Sequence, residues 1–153
     1  MIKRGFQIFE LVLLSILLIF FATPFIGTSV YDGLPDSTVF AFVALAGAYQ
    51  VLAILLLALT LVALISKSIV VCMPLGYNGK IGTIFSRISV MTVLFAFVIL
   101  VCLMIHMDVD GILGGGSDYL SLGYGAWMLL TFFLVMILFS FIVGVVGLLC
   151  RKK

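Results

Sequence analysis

Charged side chains are nearly absent from this chain. Lys, Arg, Asp and Glu together make up 9% of its 153 residues, and hydrophobic residues make up 65%. Soluble domains carry about 25% charged and about 45–50% apolar residues. No soluble fold of this size hides so much apolar surface, and a lipid bilayer is the solvent that removes the difficulty. Cysteine is scarce as well. Cys72, Cys102 and Cys150 are odd in number, far apart and without a CxxC pair, which argues against a disulfide framework, a zinc site and a redox dithiol. The remaining expectation for them is buried apolar thiols. Histidine occurs once, at His106, and no GxSxG, HExxH or phosphate-cradling Gly-rich loop is present. Without those sets there is no nucleophile, metal or phosphate chemistry to assign, so neither an enzyme nor a cofactor is expected. Phe20–Pro24 lacks a small-x-small cleavage pattern. The first apolar run therefore reads as a retained helix rather than a signal peptide.

What the chain does have is four uncharged stretches, 11–31, 37–66, 88–105 and 119–150. A helix rising about 1.5 Å per residue needs about 20 residues to cross a hydrocarbon core of about 30 Å. The stretches are continuous and rich in Leu, Ile, Val and Phe, without the period-two alternation of a barrel strand. The expected fold is all-α. It is a four-helix, up-down integral membrane bundle in a single domain, 1–153, with spans near 5–27, 38–66, 83–107 and 119–150. The second and fourth stretches exceed one upright crossing, so those helices are expected to tilt or protrude.

The few charges are sorted by sign. Lys3 and Arg4 precede the first stretch, Lys67, Lys80 and Arg87 fall between the second and third, and Arg151, Lys152 and Lys153 follow the fourth. Asp32, Asp36, Asp108, Asp110 and Asp118 fall in the alternate connections. By the positive-inside rule both termini are cytoplasmic, with the cell membrane the expected location. Topology accounts for all the basic residues, leaving none to indicate nucleic-acid binding.

Small residues mark where helices approach in lipid. Ala44, Gly47 and Ala48 in the second stretch and Gly144 and Gly147 in the fourth are expected packing or assembly positions. Gln50 is expected to hydrogen-bond a neighbouring helix or an identical subunit. Glu10, the only acidic residue on the basic side, is a possible intramembrane ionisable site, with Arg4, Lys80 or Arg87 as the expected partner. His106, Asp108 and Asp110, followed by Gly111 and joined by Asp118, resemble part of a calcium loop, a weak match that lacks the terminal Glu. Asp110–Gly111 also reads as the start of an outer loop. Tyr31, Tyr119, Tyr124 and Trp127 form an aromatic belt at the outer boundary.

The topology resembles that of tetraspan groups such as the claudins and tetraspanins. The W-GLW-C-C and CCG patterns do not occur, and no family follows from topology. The expected role is non-enzymatic. The chain would be a structural or assembly component surrounded by lipid, acting as a homo-oligomer or as a small accessory subunit beside other membrane protein subunits. The alternative is a small oligomeric channel or transporter.

Overall fold

The computed structural model describes residues 2–23, 39, 47–73, 80–113 and 124–149. They form four helices, α1 (Ile2–Phe20), α2 (Ala48–Cys72), α3 (Lys80–Leu113) and α4 (Tyr124–Leu149), and no strand occurs among the described residues. Among the described residues three segments are long and apolar enough to cross a membrane, Gln50–Cys72, Lys80–His106 and Gly125–Val145. The shorter α1 is not among them; its 19 residues include Lys3, Arg4 and Glu10.

The helices form a ring in which each packs on its two neighbours. α2 and α3 pack most extensively, α1 packs on α2 and α4, and α3 packs on α4. Contacts at matched levels make the neighbours antiparallel. The Arg4 guanidinium donates to the Val71 carbonyl at 3.3 Å, so the start of α1 lies beside the end of α2. The rings of Phe6 and Phe9 meet Phe139 at a tilt while Phe20 meets Phe132, so α1 and α4 also run oppositely.

The reason for the ring is a buried stripe on every helix with alternating steps of three and four. In α2 the stripe is Ala53, Leu56, Thr60, Ala63, Lys67 and Val70; in α3 it is Ser89, Val93, Ala96, Leu100 and Leu103. In α4 it is Ala126, Leu129, Phe133 and Met136, and in α1 Glu10, Leu14 and Leu17, continued by Phe21 just past the helix end. An average period of 3.5 keeps one face of each helix turned to the bundle axis. The residues between the stripes, such as Val12, Ile54, Phe95 and Leu138, point outward.

Three expectations change here. The second stretch is not one helix from 38 to 66. Gly47 has φ 93° and ψ −149°, a region only glycine occupies readily, and α2 starts immediately after it. At its other end α2 runs past Ser66 to Cys72, which takes Lys67 out of the inner loop and into the helix. Third, α3 continues through Asp110 and Gly111 to Leu113 where an outer loop was expected. At 34 residues it, rather than α2 or α4, is the longest helix. It is about 51 Å long at 1.5 Å per residue, well beyond a hydrocarbon core of about 30 Å.

Candidate functional site

Each helix carries a polar residue on or near its buried stripe at the same end of the bundle. Glu10 ends the stripe of α1 and Ser89 that of α3. Ser66 and Lys67 stand near the end of the α2 stripe, and all four residues are buried. Ser140, half-buried, stands one step of four beyond Met136 on α4. Together they make a polar layer across an otherwise apolar core. It lies about 12 Å along α1 from its first residue, given eight residues of rise between Ile2 and Glu10.

Within the layer the groups satisfy one another. The Lys67 ammonium pairs with Glu10 Oε2, and the Ser140 hydroxyl donates to Glu10 Oε1 at 3.2 Å. The Ser89 hydroxyl donates across to the carbonyl of Ala63 at 3.2 Å; the small Ala63 side chain leaves that carbonyl within reach. One turn deeper, the Thr60 hydroxyl donates to Leu56 O of its own helix at 2.8 Å. Among the described residues no buried side-chain nitrogen or oxygen lacks a partner. Two charges buried in an apolar medium are tolerable only when paired and further hydrogen-bonded, and this geometry supplies both.

Glu10 therefore has a partner that the sequence reading did not name. Arg4 instead caps α2, through one of the last four carbonyls that an α-helix leaves without an internal donor. Lys67 had been counted as a loop cation because it ends the uncharged run. The signal that finds it is periodic: the stripe through Thr60, Ala63 and Val70 passes through position 67.

Of the expected small-residue positions, Gly47, Ala48 and Gly144 are exposed; the small residues fully buried in α2 are Ala53 and Ala63 instead. A Cβ added at Gly144 would meet nothing within 4 Å. Gly147 lies in α4 with its surroundings outside the described residues, and Ala44 lies outside them altogether. Gln50 and His106 are half-buried towards the opposite end, and each has an interaction partner. Asp108 and Asp110 lie on the helical backbone of α3, but their side chains, and all of Asp118, are outside the described residues. Among the described residues no group of three metal-ligating side chains is gathered. The thiols of Cys72 and Cys102, expected to be buried, are exposed, because both positions fall off the buried stripes.

Beside the polar layer, on the outside of the bundle, α3 and α4 separate to leave a groove of about 700 Å³. Its walls are apolar, Arg87 stands in it, and Ser140 lies at the edge nearest the polar layer. Compared with known family models, curated proteins and solved structures, the chain matches none of them.

Proposed function

We propose that this is a non-enzymatic multi-pass membrane protein that works by packing and lateral assembly. It would act as a homo-oligomer or as a small accessory subunit of a larger membrane complex. In this reading it crosses the membrane four times, with α1 as one of the spans and both termini cytoplasmic. The antiparallel packing of α1 against α2 and α4 supports the fourth span, and the sorting of charges supports the orientation.

The observation that carries the reading is the closed interior. Beyond Thr60 the buried described residues are apolar, among them Leu14, Leu17, Phe21, Leu56, Leu100, Leu103, Leu129 and Phe133. A conducting path needs a continuous polar lining, and the buried polar residues stop at Thr60, about two turns past Lys67. Meanwhile the outer faces of α2, α3 and α4 present large apolar side chains, including Ile65, Phe95, Val98, Leu138 and Phe141, to lipid or to other helices.

The competing reading is a small channel or transporter, favoured by the buried carboxylate of Glu10. Two measurements on the purified full chain separate them. Native mass spectrometry from mild detergent is expected to show a defined complex larger than one chain when the native partner or enough of the protein is present. Proteoliposomes are expected to show no saturable flux of protons or small cations. Flux that disappears in Glu10→Gln would replace assembly with transport.

A further inference from the structure

The groove between α3 and α4 combines apolar walls with a charge. Val90, Leu94, Ile137 and Phe141 line it, Gly144 leaves one side open, and Arg87 supplies the cation. The position of Arg87 is unusual in what it lacks. The chain holds six acidic residues. Five of them are Asp residues whose side chains lie outside the described residues. The sixth, Glu10, is taken by Lys67. Among the described residues no carboxylate is left to neutralise Arg87. Lys80 lies seven residues earlier on α3, two turns along the same face and about 10 Å nearer the helix start. Both side chains are exposed. The result is a groove with apolar walls and one cation in it, Arg87, with Lys80 as a second cation farther along the same face of α3.

We propose that this groove binds one anionic diacyl phospholipid, with its phosphodiester on Arg87 and one acyl chain lying along Val90, Leu94, Ile137 and Phe141. The guanidinium forks onto phosphate oxygens, and Lys80 favours an anionic headgroup over a zwitterionic one. The cations stand at the end expected to be cytoplasmic, where a negatively charged leaflet presents such lipids. The volume is of the order of an ordinary ligand site, about 300–1,000 Å³. Gly144 has a use in this arrangement that helix packing does not supply. With no side chain there, and nothing within 4 Å of where one would be, the acyl chain can lie against the α4 backbone.

The test uses the full chain in mild detergent, with native mass spectrometry against dioleoylphosphatidylglycerol and dioleoylphosphatidylcholine. Wild type is expected to retain one phosphatidylglycerol per chain and to hold phosphatidylcholine about tenfold more weakly. Arg87→Gln is expected to bring the anionic lipid down to the level of the neutral one, about a tenfold loss, in keeping with one charge-assisted contact. Gly144→Leu places a side chain in the groove and is expected to abolish retention of both lipids while circular dichroism shows an unchanged helix content. That variant removes a helix-weakening glycine, so it decides the matter even where Arg87→Gln folds poorly. Equal retention of the two lipids by wild type, or undiminished phosphatidylglycerol binding in a folded Arg87→Gln or in Gly144→Leu, overturns the proposal. So does a Gly144→Leu variant that changes the number of chains per complex and not the number of lipids, which would make the groove a contact between protein chains. None of these outcomes bears on flux, so the site and the assembly reading fail separately.

Discussion

Glu10 and Lys67 are each affordable in the core only because the other is there. Removing one partner strands a charge, a change that costs about 3–5 kcal/mol for buried pairs, whereas replacing both with apolar or neutral groups of similar volume is often close to neutral. Glu10→Gln and Lys67→Met are each expected to lower stability strongly, and the double variant is expected to recover much of the loss. Reversible unfolding in mixed micelles of increasing denaturing detergent measures the cycle. Additive single effects in the double variant would mean that the two side chains do not act as a pair. The same residues show where sequence reading reaches its limit. A charge at the end of an apolar run looks like a loop residue when the run alone is considered. It looks like a core residue when the 3–4 spacing of its neighbours is considered, and the spacing was the better guide at position 67.

At the level of elements, Gly47 and Gly144 have opposite roles. Gly47 sits at φ 93° with open space where a Cβ would go, so the objection to a side chain there is purely in the backbone. Gly47→Ala is expected to cost about 1–3 kcal/mol. Gly144 is inside α4 with nothing nearby, and Gly144→Ala is expected to raise stability by about 0.5–1 kcal/mol. The same unfolding titration checks both; a destabilised Gly144→Ala would show that something unseen packs on that face. Helix ends were the part of the fold least legible from sequence. Three helices were clear from apolar length alone. The break at Gly47 was hidden because its neighbours are as apolar as a helix interior. The extension of α3 to Leu113 was hidden because His106, Asp108, Asp110 and Gly111 look like loop chemistry. A helix turns by about 100° per residue, so positions two apart do not share a side of it, and the alternate-residue pattern of a calcium loop does not carry over onto this backbone.

For the whole molecule, the central question is orientation. Cys72 is exposed at the last residue of α2, at the basic end. With Cys102 and Cys150 replaced by Ser, a membrane-impermeant maleimide is expected to label Cys72 in inside-out vesicles and to spare it in intact cells. Labelling in intact cells would reverse the proposed topology. The candidate site was only partly legible at this scale. Glu10 stood out because it is the one carboxylate among basic residues. Its setting with Lys67, Ser89 and Ser140 requires four helices to be brought to one level, and no local stretch of sequence carries that information.

The polar layer also bears on how the molecule comes to be inserted. α1 is made first and is the least self-sufficient of the four helices, with Lys3, Arg4 and Glu10 among its 19 residues. The groups that accept its charges are synthesised afterwards: the Val71 carbonyl and Lys67 with α2, and Ser140 with α4, 130 residues downstream of Glu10. In the proposed four-span topology, α1 is held in the bilayer by helices that emerge after it rather than by its own hydropathy. Biogenesis then has a direction. Until α2 is in place, the first helix is a segment with an unmet carboxylate, and the ion pair that completes it records that the later helices have arrived.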